Sequence, residues 1–403
     1  MKKVVILIEQ PLDDRNYQRF GIQTWLERNW VVEVWDLTPW AHPRVWRSFI
    51  AYGNKIREFA GYFPVASGSE LANRLSISDQ TNYFVDLTGE NYQSVRAKIS
   101  LQRAGAIRIV CPGGTIPIPD KVDIGPMAKL AQVIAKGPRG SLRWLSSAFF
   151  HKVVGPRIAT GFAVISGEQA IARVRNRGEL IRTHNFDYDI YLALIKAPAV
   201  AATRYVVFID QDYCFHPEYI YQSIPPLATP GKYFPAVRNG LKIISDALKV
   251  QVRIAAHPRA TYQQRGLDVF GGFAVEYGRT AELIRDCEAV ICHDSTAVQF
   301  AVLFGKPVMF VTTDELMGTY EGRSIVKIAA ELGKSPVNLD CTDLLSVDWP
   351  KEMQVDAAKY ERYRAKYIKT AGSPEIPLWD IVINYIESLD SSGSTSMREI
   401  CID

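Results

Sequence analysis

Paired cysteines are missing from this sequence of 403 residues. Its six cysteines, at 111, 214, 287, 292, 341 and 401, are scattered and make no C-x-x-C pair. In a chain this long that excludes a disulfide framework and a cysteine-built zinc site, and points to reduced thiols in a cytoplasm. Long apolar runs are missing as well. No stretch of about 18 apolar residues occurs, so no membrane-spanning helix is expected. Charge of one sign is scarce: 47 Lys and Arg stand against 43 Asp and Glu, and the net +4 is too small for a general nucleic-acid binder. The opening "MKKVVILIEQP" lacks a long h-region and a small-residue cleavage site, and reads as a first strand rather than a signal peptide. No G-x-G-x-x-G follows a strand, which argues against a dinucleotide oxidoreductase. "LGKS" at 332–335 is no P-loop, because Ile328 holds the required upstream glycine position.

What is present is an alternation of strand-like and helix-like segments. "KVVILIE", "VVEVWDLT", "NYFVDLTG" and "AIRIVCPGG" are β-rich and separated by helical or polar stretches. The same pattern returns in "YVVFIDQD", "QVRIAAHP", "EAVICH" and "PVMFVTT". Between the first two of these, "AVRNGLKIISDALKV" puts Val237, Leu241, Ile244 and Leu248 on one helical face. Strands alternating with helices predict doubly wound parallel sheets, and the length predicts two domains of roughly 150–200 residues each. The expected division is an N-terminal domain over 1–195 and a second over 196–370. A helix at 371–390 is expected to pack back on the first domain, ahead of a flexible tail at 391–403.

In open α/β sheets, ligands bind beyond the carboxyl ends of the strands. Residues just past the apolar runs are therefore the candidates. In the second half these are Asp210 and Asp212, His257 with Pro258 and Arg259, and His293 through Thr296. Ser295 and Thr296 are expected to open a helix, where unpaired N–H groups and hydroxyls suit a phosphate. Capping by Asp294 or Ser295 explains the same residues. His257 can donate to a phosphate beside Arg259, and equally can sit in a plain turn. "DQD" reads as a positioned carboxylate acting as base or nucleophile, as a metal-holding D-x-D pair, or as a turn cap. "NFDYDIYL" contains a second D-x-D, at Asp187 and Asp189. In the first half, Arg15 and Arg19 follow the first strand and can hold an anionic sugar or acceptor. Gly113 and Gly114 in "CPGGT" leave room for backbone to approach a ligand. Glu168 in "ISGEQA" lies past another strand and joins Asp210 and Asp212 as a catalytic candidate. Residues 121–157 carry seven Lys or Arg and one acid, Asp123, interleaved with aromatics. That composition fits a face against anionic lipid, or an ordinary helix with its aromatics in the core.

With these residues in place, the second half resembles GT-B glycosyltransferases, which have two Rossmann-like, doubly wound parallel-sheet domains facing a cleft. More narrowly it is similar to bacterial transferases that use CMP-activated 2-keto sugars, the sialyltransferases and Kdo transferases. Their acidic, His-Pro and Ser/Thr motifs match "FIDQD" at Asp210–Asp212, "AAHPR" at His257–Pro258 and "DST" at Ser295–Thr296, in the same order. The opening "EQPLDDRNYQRFGIQTW" resembles the retaining β-Kdo transferase domains of O-antigen and capsule assembly.

The resemblance implies a CMP-sugar donor as substrate, no cofactor and no metal, and a glycan or lipid-linked glycan acceptor. It implies that His257, Ser295 and Thr296 stabilise the leaving phosphate, with Asp210 as base or nucleophile. The protein is then expected in the cytoplasm, peripheral on the inner face of the plasma membrane, without nucleic-acid partners. Two competing expectations remain: a UDP-sugar 2-epimerase of the same two-domain form, and a non-catalytic nucleotide-sugar-binding subunit of a polysaccharide assembly complex.

Overall fold

The computed structural model describes residues 1–51, 55–77, 83–112, 116–119, 149–174, 178–198, 204–222, 224–341 and 343–391. These residues fall into two compact units. One takes the described residues of 1–112, 149–183 and 372–391; the other takes 116–119 and 184–371. The expected Gly113 and Gly114, and most of the basic stretch 121–157, lie outside the described residues.

The first unit is built on strands β1 (Lys3–Ile8), β2 (Val31–Asp36), β3 (Tyr62–Pro64), β4 (Tyr83–Asp86), β5 (Ile107–Val110), β6 (Phe162–Ser166) and β7 (Glu179–Thr183). They lie in the order β3-β2-β1-β4-β5-β6-β7, and every pair is parallel. The second unit has β8 (Tyr205–Ile209), β9 (Gln251–Ala255), β10 (Ala274–Glu276), β11 (Ala289–Cys292), β12 (Val308–Thr312) and β13 (Val337–Asn338). Their order is β10-β9-β8-β11-β12-β13, again parallel throughout. The apolar runs form the inner strands because helices cover both faces of such a sheet; every residue of β8, β11 and β12 is buried. The edge strands β3 and β13 are too short to carry a hydrophobic period.

In each sheet the strand order reverses beside the first strand, between β1 and β4 and between β8 and β11. Neighbouring loops there turn to opposite faces and leave a crevice at the carboxyl ends. Register decides what emerges. Ile209 pairs with Cys292 across β8–β11 and with Ala255 across β8–β9. Asp210, Ala256 and His293 therefore leave the sheet side by side.

The amphipathic segment forms a helix over Pro230–Leu248, with Pro230 in its first turn and Tyr233, Phe234, Val237, Leu241 and Ile244 buried. Gly240 lets this helix approach the β13 loop: a Cβ there would stand 2.6 Å from Leu339 Cδ2. In the first unit, the helix Leu378–Ser391 buries Trp379 against Trp25, and the Trp379 indole N–H donates to the Arg19 carbonyl at 2.7 Å. Among the described residues, no helix is long and apolar enough to cross a membrane.

Candidate active site

The end of β8 is tied to its neighbour by one carboxylate. Asp210 is 1% exposed. Its Oδ1 accepts the Asp212 N–H at 3.0 Å, and its Oδ2 accepts the His257 N–H at 3.2 Å and the Tyr262 hydroxyl at 3.0 Å. The side chain expected to face a reacting hydroxyl is thus taken up by three donors. Two of them, His257 and Tyr262, belong to the loop after β9.

Asp212 is also buried, and it adopts a left-handed backbone conformation at φ 53°. Such a conformation costs a non-glycine residue about 1–3 kcal/mol and persists where surrounding contacts hold it. Its Oδ1 meets the same Tyr262 hydroxyl at 2.9 Å, while its Oδ2 is buried without a hydrogen-bond partner. A tyrosine hydroxyl carries one proton and can donate it once. The second short contact therefore calls for a proton on a carboxyl group. Burial, and then the neighbouring Asp210 charge, push the Asp212 carboxyl up to about 7. Burial and both carboxylates hold the Tyr262 hydroxyl protonated.

Two His-Pro turns stand beside this pair. In His257-Pro258-Arg259, the His257 Nδ1 accepts the Arg259 N–H at 3.2 Å. In His216-Pro217-Glu218, the His216 Nδ1 accepts the Glu218 N–H, also at 3.2 Å. A ring nitrogen that accepts an N–H offers its lone pair, so in both neutral imidazoles the proton sits on Nε2. The rings meet edge to face with centroids 4.7 Å apart, and Arg259 bridges to Glu218 at 3.0 Å. Burial lowers the His216 pKa and keeps that ring neutral. Sequence reasoning passed over His216, although "FHPE" repeats the His-Pro signal of "AHPR".

The end of β11 departs from expectation in two ways. His293 is fully buried, with Nδ1–H donating to the Val311 carbonyl at 2.7 Å and Nε2 accepting the Tyr233 hydroxyl at 2.9 Å. Burial lowers its pKa to about 4. Both ring nitrogens of His293, expected to bind phosphate, are engaged by these two partners in the core. The expected helix start at Ser295 and Thr296 is a turn instead. The helix spans Val298–Leu303, and Ser295 Oγ accepts the Ala297 N–H at 3.2 Å. Ser295 is buried and Thr296 exposed. Asp294 accepts from Gln211 Nε2 at 3.0 Å and from the Tyr213 hydroxyl, which fastens the β8 loop to the β11 loop. The loops after β9, β8 and β11 are thereby joined through Asp210 and Asp294.

The same unit has a cavity of about 820 Å³ lined by the helix Pro230–Leu248 and the segments after β12 and β13, with Tyr233, Thr313, Glu315 and Leu339 among its residues. The Thr313 hydroxyl is buried there without a partner. Glu315 accepts the Thr229 N–H at 2.9 Å and so caps the helix Pro230–Leu248. Among the described residues, no three His, Cys, Asp or Glu side chains gather as a metal site.

The remaining expected residues belong to the first unit. Glu168 is exposed in the first turn of a short helix after β6, preceded by Gly167 at φ 84°. Arg15 and Arg19 lie on the helix Asp14–Arg19 that follows β1, Arg15 exposed and Arg19 half-buried.

No protein-family profile matches the sequence, and no curated protein sequence matches it. Solved structures do match in fold. A variant of the wall teichoic acid polymerase TagF superposes with a TM-score of 0.56 at 11% identity, over 96% of this chain and 90% of that one. A second variant of the same polymerase gives 0.53 at 12% identity, over 97% and 89%. A structure described as a UDP-N-acetylglucosamine 2-epimerase from Listeria monocytogenes gives 0.50 at 12% identity, over 98% of both chains. At such identities the likeness is one of architecture: the chain has the GT-B-like form of two Rossmann-like domains. None of these three is described as a sialyltransferase or Kdo transferase.

Proposed function

We propose that the chain is a glycosyltransferase acting on a nucleotide-activated sugar, with the donor phosphate held at the carboxyl ends of β9, β8 and β11. The observation that carries this reading is the locking of His257. Its ring is set as an Nε2–H donor by the Arg259 N–H, and its backbone is pinned by the buried Asp210. Fixed donors of this kind stabilise charge that develops on a leaving phosphate and lose little to reorganisation. His216 supplies a second imidazole set the same way, Ser295 and Thr296 supply hydroxyls, and Arg259 supplies charge. Asp210 acts as a positioning residue in this reading. Asp212, with its unpartnered Oδ2, is the member of the pair that exchanges a proton.

The order of the Asp210–Asp212, His257–Pro258 and Ser295–Thr296 motifs favours a CMP-activated 2-keto sugar such as CMP-Kdo as donor and a growing glycan as acceptor. Arg15, Arg19 and Glu168 are the acceptor-side candidates of the first unit. A second reading, a nucleotide-sugar 2-epimerase, is favoured by the fold likeness to the Listeria protein. An epimerase would need no acceptor and would release no free nucleotide as its product.

A thermal-shift comparison of CMP, CDP, UDP and GDP tests the reading, because a ligand bound to the native state raises Tm by mass action. A shift with CMP that disappears in His257→Ala supports it. A shift with UDP alone moves the weight to the epimerase. No shift with any nucleotide rejects both.

A further inference from the structure

The connection from β2 to β3 in the first unit holds a helix over Pro43–Ala51. At about 100° per residue, Val45, Trp46, Phe49 and Ile50 fall on one side of it, and Arg44, Arg47, Ser48 and Ala51 on the other. A crossover helix with such a face ordinarily buries it against the sheet. This one does not. Among the described residues it is the one helix of more than eight residues in which no residue is buried. Ile50 is 47% exposed, and Val45, Trp46 and Phe49 are half-buried. The polar side is cationic and exposed. Arg47 Nε donates to the Pro43 carbonyl at 3.2 Å, and among the described residues neither Arg44 nor Arg47 meets a carboxylate. Residues 43–58 hold four basic side chains, Arg44, Arg47, Lys55 and Arg57, against one acid, Glu58. Arg57 pairs with Asp14 at 3.1 Å, whereas Lys55 is exposed like Arg44 and Arg47.

We infer that the helix Pro43–Ala51 docks the first unit on a membrane surface rich in anionic lipid. Trp46 and Ile50 enter the interface, and Arg44 and Arg47 meet phosphate headgroups. A helix with Trp, Phe and Ile on one side and Arg on the other lies in the plane of such an interface, because both faces are then solvated by what suits them. An indole ring favours that depth, being apolar in its body and polar at its N–H. Charge decides between a lipid surface and a second copy of the chain. A two-fold contact repeats one patch against itself, which would set these arginines against their own counterparts. An anionic lipid face complements them. The inference concerns binding alone and stands whether or not the chain transfers a sugar.

The test is flotation of the full-length chain with two kinds of vesicle, phosphatidylcholine alone and phosphatidylcholine mixed with phosphatidylglycerol. Binding is expected to the mixed vesicles only, and it should weaken as salt is raised, because screening shortens the reach of the arginines. The double variant Arg44→Gln, Arg47→Gln should weaken that partition by about 10- to 30-fold. Ile50→Ser should weaken it by about 3- to 10-fold, through lost apolar contact. The arginine variant changes exposed side chains only, so an unaltered Tm is expected and the loss cannot be laid to unfolding. No binding of the wild type to mixed vesicles overturns the inference, as does equal binding to both kinds. Equal partition of the wild type and both variants also overturns it, since another surface would then do the docking. A wild-type dimer in light scattering that Ile50→Ser turns into a monomer would assign the face to a second copy and overturn it as well.

Discussion

His216 and His257 stand edge to face with ring centroids 4.7 Å apart, each ring set by the backbone N–H two residues on. The pair presents two imidazoles in one tautomer from two successive strand-end loops. If a donor phosphate rests on them, His257→Ala should lose about 1.5–3 kcal/mol of nucleotide binding, roughly 10- to 150-fold in Kd. His216→Ala should lose a similar or smaller amount. Titration calorimetry with the nucleotide found by thermal shift is the measurement. Unchanged affinity in both variants would remove the phosphate from these turns.

Asp210 is the buried anchor of three donors from its own loop and the β9 loop. Asp210→Ala strands those donors, and a loss of roughly 2–4 kcal/mol is expected in urea unfolding of the second unit. Nucleotide binding should weaken alongside, because the His257 backbone is no longer pinned. A variant with native stability would show that water satisfies the donors and that the anchor is dispensable.

Asp212 makes stability depend on pH with a definite sign. Its carboxyl titrates at about 7 in the folded chain, above the roughly 3.9 of an unfolded aspartate. Between those values the folded state holds a proton that the unfolded state has released. The contribution is therefore full below pH 4 and is lost as pH rises to about 7. Asp212→Asn should be more stable than the wild type at pH 8, by a few kcal/mol at most, and the gap should close toward pH 4. Parallel denaturation curves at pH 4, 6 and 8 measure this. A gap that is constant with pH would mean that Asp212 is not the proton holder.

His293→Ala should act on the core and leave the ligand alone. It removes the partner of the Val311 carbonyl and of the Tyr233 hydroxyl and leaves a cavity among aromatic rings. The expected cost is about 2–4 kcal/mol of stability with nucleotide affinity retained. Normal stability with lost affinity would return His293 to the binding site.

Much of this arrangement was legible before the structure. Apolar runs such as "YVVFI" and "AVIC" mark inner parallel strands because burial on both faces demands continuous hydrophobicity, and the 3.6-residue spacing of Val237, Leu241 and Ile244 marks a helix face. The polar residues just past those runs, Asp210, His257 and Ser295, stand at strand ends as expected because chain continuity puts them there. Such signals are local, and a local pattern survives whatever the rest of the chain does.

What several of the polar residues do was not legible, because the hydrogen bonds of Asp210 and His293 come from far along the chain. Tyr233 meets His293 across 60 residues, and Tyr262 meets Asp210 across 52. These meetings follow from strand order and register, which set β8 between β9 and β11. Periodicity states which residues are buried, but not which buried donor finds which acceptor. Hence a strand-end histidine became a core residue, a strand-end aspartate became an anchor, and a second His-Pro turn emerged beside the first.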